Sequence, residues 1–229
     1  MARPKRDVSS SADETRDRLR RAAHKVVCEA GIAGTSARAI ASRAQVNQAL
    51  IFYHFGTVSE LLAAASDAAI ASSIDHYRAA FDDVDSLDGL VSVARSMQAR
   101  ERTIGNVTYM AQMLSGSQND PVLARAARAA VATWSSEVQR VLDRVLGDGP
   151  LTGLVDARGL AHLVSAGFIG IELYDVADPE GASRAVDTLE AIGRLVDVLD
   201  ELGPVARRAL ASKTKRSAKA GRRQRKAVG

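Results

Sequence analysis

A chain of 229 residues with 46% hydrophobic residues can bury a substantial core in one large domain, or in a small domain joined to a larger one, which argues against global disorder. It offers no run of about 18 uncharged apolar residues for a membrane span, no apolar region after the charged start MARPKRDVSSSADETR as a secretory signal needs, and no second cysteine to pair with Cys28, so a reducing cytoplasm is the expected address. The net charge of +4 divides unevenly: residues 1–56 hold ten Lys/Arg against five Asp/Glu, 57–212 hold thirteen against twenty-two, and 213–229 hold eight basic residues and no acidic one.

A basic head before an acidic body points to a polyanion at the head. The basic tail reads either as a solvated end or as a contact segment. Apolar spacing of three and four recurs and no long stretch alternates at period two, so the expected fold is all-α. Four prolines (121, 150, 179 and 204) sit beside Gly, Asp or Asn at junctions, and Pro121 and Pro204 suit a first helical turn.

In chain order, a disordered basic arm (1–12) precedes a helix over 13–30. The inner stripe of that helix is Leu19, Ala22, Ala23, Val26, Val27 and Ala30, and Gly31 stops it. Thr35-Ser36 can cap a short helix to about Arg43, and Asn47 can cap another through Phe55. Thr57-Val-Ser-Glu60 has the capping-box pattern and starts a linking helix over about 57–80. Asp82–Asp88 is a turn cluster. Further helices are expected at 86–115, 121–146, 157–174, 181–202 and 204–211, with a disordered tail over 212–229.

The stretch NQALIFYHF (47–55) carries three of the nine aromatic residues in the chain. On helical wheels Ile40 faces inward with small Ala37, Ala41 and Ala44, and Arg38 and Ser42 point away. In the second short helix Ile51 and Phe55 face inward, Ala49 and Tyr53 point the other way, and Gln48 and Phe52 share an adjoining strip. Two short helices with the tight link Gln-Val-Asn (45–47) suit a helix-turn-helix in a major groove, spanning about 36–55. Gln can pair with an adenine edge, an Arg fork suits guanine, and Ala49 can touch a thymine methyl. Tyr53 and His54 can bond phosphates. The alternative is an ordinary exposed helical hairpin with a surface aromatic.

The segment TRDRLRRAAHKVVCEAGIAGTSARAIASRAQVNQALIFYHFGTVSELLAAA (15–65) resembles the DNA-binding domain of the TetR family of transcriptional regulators. The resemblance rests on several features in order: a first helix ending at Gly31, Thr35-Ser36, the IASRA turn, IFYHF and the Leu61-Leu62 start of a linking helix. It covers about a quarter of the chain. It implies a three-helix DNA-binding head (13–56) and a larger helical effector-binding and dimerisation domain (57–211). Under it, Arg38 reads a base, and Gln48, Ala49 and Leu50 face the groove, with Asn47 at the start of the same helix. Phe52, Tyr53 and His54 contact backbone or thymine methyls, and Thr35 and Ser36 bind phosphate. Two departures stand out. The family often has tyrosine where this chain has Phe52, and lysine where Val58 stands; Arg3, Lys5 and Arg6 of the arm, or the tail, could restore the lost affinity.

The resemblance also implies a homodimer on a palindromic double-stranded operator, built from the helices at 157–174 and 181–202. Gly159, Ser165, Gly167 and Gly170 leave low surfaces beside Leu163, Phe168 and Ile171, and Leu163, Gly167, Gly170 and Ile171 are the expected contacts. The other reading is a helix buried within one monomer. Met97, Glu101, Tyr109, Met110, Met113, Trp134, Phe168 and Glu172 are either plain core or the lining of a small-molecule effector pocket. Glu101 breaks an apolar stripe, so it meets a ligand or pairs with an Arg.

Catalysis finds little support. His24, His54, His76 and His162 lack a metal-ligand spacing, Cys28 has no activating motif, and no phosphate loop or nucleophile elbow is present. No metal or cofactor is expected. The overall expectation is a homodimeric repressor released from DNA by a small molecule; the alternative is an architectural DNA-binding protein without an effector.

Overall fold

The computed structural model describes residues 8–147, 155–200 and 212, and among them every regular element is an α-helix. They are α1 (Val8–Ala30), α2 (Ala37–Ala44), α3 (Ala49–Phe55), α4 (Val58–Asp82), α5 (Leu87–Ile104), α6 (Asn106–Gly116), α7 (Pro121–Leu146), α8 (Ala157–Asp175) and α9 (Pro179–Asp200). No single described helix is long and apolar enough to cross a membrane. The arm residues Arg3, Lys5 and Arg6, the helix expected at 204–211 and the tail 213–229 lie outside the described residues.

Helix α1 starts at Val8 rather than at 13, because nothing between Val8 and Asp13 is Gly or Pro and the stretch runs straight into the amphipathic repeat. Leu19, Ala22, Ala23, Val26 and Val27 are buried as the stripe predicts, whereas Ala30 is exposed in the last turn. Gly31 ends the helix at φ 68°, donating its amide to the Val27 carbonyl at 2.9 Å. The expected helix at 86–115 is two helices. Gly105 breaks it at φ 80°, and its carbonyl accepts a bond from Cys28 Sγ at 3.3 Å. A Cβ there would lie 3.0 Å from the same sulfur. Packing against α1 thus overrides the continuous apolar spacing.

The described chain forms two compact units, one running to His76 and including Arg100–Thr133, the other holding Tyr77–Ala99 and the residues from Trp134 onward. In the first, the stripe of α1 packs with Ile40, Ala41 and Ala44 of α2 and Ile51 of α3. The same core continues through Leu61, Leu62 and Ala65 of α4, Tyr109 and Met113 of α6, and Leu123 and Ala126 of α7. Residues 13–56 therefore share their core with later helices. Three groups seat those helices. Tyr109 Oη donates to the Leu62 carbonyl at 2.7 Å. Thr57 Oγ1 accepts the Glu60 amide at 3.0 Å, while the Glu60 carboxylate pairs with Arg125 instead of closing the capping box. Asp120 caps α7 by accepting the amides of Val122 and Leu123. The Ser59 hydroxyl, at 2.6 Å, does most to hold the Asp120 carboxyl below its ordinary range.

In the second unit Tyr77, Phe81, Val84, Leu90, Met97, Val138, Val141, Leu142, Leu146 and Ala161 form the core. Trp134 meets Phe81 edge-on, with ring centroids 5.9 Å apart. Arg95 of α5 holds Asp187 and Glu190 of α9 at 2.8 and 2.7 Å.

Candidate nucleic-acid interface

The helix-turn-helix is built by caps and small residues. Thr35 Oγ1 donates back to the Gly31 carbonyl at 2.8 Å, and the Ser36 hydroxyl accepts the Ala39 amide at 3.2 Å, which starts α2. Ile40, Ala41 and Ala44 go into the core, so Arg38, Ser42 and Arg43 stay in solvent. Arg43 is drawn sideways into an ion pair with Glu29 of α1. Arg38 is left exposed on the outer face of α2.

Helix α2 ends at Gln45, in the left-handed region at φ 53°, ψ 48°. The boundary of α3 falls one residue later than expected: Gln48 is the capping position, but the side-chain bond comes from Asn47, whose Oδ1 accepts the Ala49 amide at 2.8 Å. Asn47 thus caps as its residue type predicts. Ile51 is fully buried and Phe55 packs against the same core, leaving Gln48, Ala49, Phe52 and Tyr53 exposed. Phe52 is 48% and Tyr53 81% accessible, high values for rings that no fold requirement puts there. Tyr53 and His54 meet edge to face, with centroids 4.9 Å apart.

Leu50, expected in the groove-facing set, is half-buried and packs on the same core. Val58, where the family often has lysine, also packs on the core. Helix α1 contributes two cations that no local pattern announces. The Arg16 guanidinium lies 5.4 Å from the Phe55 ring centroid, and Arg18 Nη2 donates to the carbonyls of Ala44 and Gln45.

The eight expected pocket residues divide between the two units. Glu101, Tyr109, Met110 and Met113 belong to the first unit, and Met97, Trp134, Phe168 and Glu172 to the second. Tyr109 and Met113 are core of the first unit, and Met97, Trp134 and Phe168 are core or its margin in the second. Glu101 is buried and occupied: Oε1 accepts from Arg100 at 2.6 Å, and Oε2 accepts from Ser73 at 3.0 Å and Asn106 at 2.8 Å. A shallow hollow on the head is lined by Val26, Ala30, Ala39, Ser42 and the Glu29–Arg43 pair, and none of the eight borders it. Cys28, half-buried, has its thiol pushed above its ordinary value by burial and then by Glu29, so it is a poor nucleophile at neutral pH.

On α8, Ala161, Ser165 and Glu172 face inward, and Ser165 accepts a bond from the Ser135 hydroxyl at 3.2 Å rather than lying on an open surface. Leu163, Leu173 and Tyr174 stay exposed, Leu163 at 67%. Nothing stands within 4 Å of a Cβ built on Gly167 or Gly170, whereas Gly159 lies in the first turn against the Asp156 carboxylate. Ile171 is half-buried. Helix α9 packs on α8 and leaves Leu189, Ile192, Leu195 and Val198 exposed.

Residues 19–65 match the sequence profile of the family described as bacterial regulatory proteins, tetR family. No curated protein matches the chain at a significant level. Solved structures similar to it include a transcriptional regulator from Pseudomonas aeruginosa PAO1, at 20% identity and TM-score 0.65, covering 86% of this chain and 94% of that one. Another from Rhodococcus sp. Rha1 shows 24% identity and TM-score 0.60, covering 78% and 95%. A TetR-family regulator from Cytophaga hutchinsonii shows 16% identity and TM-score 0.69, covering 81% and 96%. At these identities the likeness establishes the fold. Residues 19–65 thus carry the helix-turn-helix segment of the tetR family of bacterial regulatory proteins, and the described helices follow the fold of these solved regulators.

Proposed function

We propose that this chain is a homodimeric transcriptional repressor that binds a palindromic duplex through α2 and α3 and is released by a small-molecule effector. The observation that carries the reading is the division of α3: Ile51 is fully buried, while Gln48, Ala49, Phe52 and Tyr53 are given to solvent, as is Arg38 on α2. Arg38 and Gln48 supply base-edge bonds, Ala49 a close apolar approach, and Tyr53, His54, Thr35 and Ser36 phosphate contacts that fix register. The aliphatic stripe on α8 and α9, with Leu163, Gly167, Gly170 and Ile171, supports pairing with a second copy, which matches a two-fold operator. For release, an effector must favour the misfitting state by about 5.5 kcal/mol to shift the population fully. Met97, Glu101, Tyr109, Met110, Met113, Trp134, Phe168 and Glu172 remain the candidate contacts, with Glu101 the weakest because its oxygens are already bonded.

The test is selection of duplexes from a random pool by the full-length protein, followed by footprinting under excess nonspecific DNA. One discrete palindromic footprint is expected. Uniform protection that the competitor erases would instead make the protein an architectural DNA binder.

A further inference from the structure

The turn between α2 and α3 holds a cost that these two helices do not themselves relieve. Gln45 is the one non-glycine residue with positive φ among the described residues. A residue with a Cβ adopts that backbone state only at a steric cost, which glycine does not meet. The backbone offers partial support, with the Gln45 amide donating to the Ser42 carbonyl and the Val46 amide to the Ala41 carbonyl, both at 3.1 Å. The carbonyls of Ala44 and Gln45 face the other way, towards α1. There a single nitrogen, Arg18 Nη2, donates to both, at 3.0 Å and 3.2 Å.

We infer that Arg18 is a positioning residue for DNA binding: reaching from α1, its guanidinium holds the left-handed turn at Gln45 and so fixes how α3 is presented. The inference rests on the DNA-binding reading above. Three arguments support it. A cation at the carboxyl end of α2 lies where the helix dipole and unsatisfied carbonyls favour it. A planar guanidinium bridges two carbonyls in a fixed direction, whereas an ammonium on a flexible stem does not. The far end of α3 is tied to the same helix, since Arg16 lies over the Phe55 ring. Helix α1 therefore grips the motif at the end of α2 and at the end of α3, outside the residues expected to touch DNA.

The rival reading makes Arg18 one more phosphate contact in a basic head. Substitution separates the two, using full-length protein, a duplex it has selected and a scrambled duplex of equal length. Arg18→Gln and Arg18→Lys should each weaken binding to the selected duplex about tenfold, the scale of a lost pair of charge-assisted bonds. Binding to the scrambled duplex and the salt slope should stay unchanged. Gln45→Gly in the Arg18→Gln background should recover most of the loss, because glycine takes the left-handed state without the Cβ penalty. Arg18→Lys binding like the wild type would overturn the role, since a phosphate contact tolerates lysine. So would equal losses on both duplexes with the Arg18→Gln slope lowered by roughly 0.9, or the absence of rescue by glycine. If Arg18→Gln does not fold, judged by far-ultraviolet circular dichroism, Arg18→Lys alone and with Gln45→Gly carries the same comparison. A wild-type protein that selects no duplex overturns the DNA reading and this role together, whereas the variant outcomes overturn the role alone.

Discussion

Helix α3 and the pair α8–α9 both leave large apolar side chains in water, but with different neighbours. On α3 the exposed groups are two rings, Phe52 and Tyr53, beside Gln48 and Asn47, in a segment with ten basic residues against five acidic ones. On α8 and α9 they are mostly aliphatic, Leu163, Leu173, Leu189, Ile192, Leu195 and Val198 with Tyr174, in a segment where acidic residues outnumber basic ones. Exposed rings beside polar side chains in a positive field suit a phosphate backbone and base edges. A broad aliphatic stripe over two glycines with open space above them suits another protein surface. Exposure alone marks both places, and the chemistry of the neighbours tells them apart.

The largest effect should come from charging the aliphatic face. Leu163→Asp combined with Leu195→Asp is expected to give a monomer at micromolar concentration in sedimentation equilibrium. Affinity for the selected duplex should fall on the order of 10²–10⁴-fold as the second half-site contact is lost. Both positions are exposed in the single chain, so helical content should hold. A double variant that still sediments as a dimer would remove α8–α9 as the association surface and leave the comparison one-sided.

The next test lies within α3. Ile51→Ala should lower unfolding stability by about 2–4 kcal/mol, read from the denaturant midpoint, because it empties a fully buried site. Tyr53→Ala, two residues on, should change stability by less than about 0.5 kcal/mol yet weaken duplex binding by roughly tenfold through a lost phosphate contact. Neither should alter sedimentation. If Tyr53→Ala binds as the wild type does, the exposed ring has no part in the interface, and the contrast with the aliphatic face loses its meaning.

What the sequence disclosed follows from the range of the forces involved. The caps at Ser36, Asn47 and Thr57, the stop at Gly31 and the buried side of α3 are local, set by residues within four positions, and all are legible by spacing. Those that were missed act across the chain. Gly105 breaks an apolar repeat only because α1 packs against it, 77 residues away. Arg18 acts on a turn 26 and 27 residues away, and nothing in its own helix marks it out from Arg16, Arg20 or Arg21. Glu101 stood out as a charge on an apolar stripe, but its partners Ser73 and Asn106 come from other helices, so its surroundings were not readable.

The smallest expected effect bears on the head side of the comparison and involves His24. Asn106 Nδ2 donates to Glu101 and Ser73, which turns its Oδ1 towards His24 Nε2 at 2.9 Å, so His24 donates there as the Nε2–H tautomer. Its ring stacks on Tyr109, with centroids 4.7 Å apart. Its Nδ1 faces Cys28 Sγ at 3.8 Å, a weak acceptor for the proton that acid would add. Burial dominates and holds the imidazole pKa below its ordinary 6.5, Lys25 adds to this, and Asn106 and Glu101 partly offset it. The unfolded chain therefore takes up the proton first. The stability His24 contributes is present above pH 6.5 and is lost as pH falls from there towards the lower folded value. His24→Gln removes that dependence. The gap in denaturant midpoint between wild type and His24→Gln should thus narrow between pH 7.5 and pH 5.5. A gap that widens instead would mean that the folded protein holds His24 charged against Glu101, reversing the order of burial and attraction at the joint between α1 and α6.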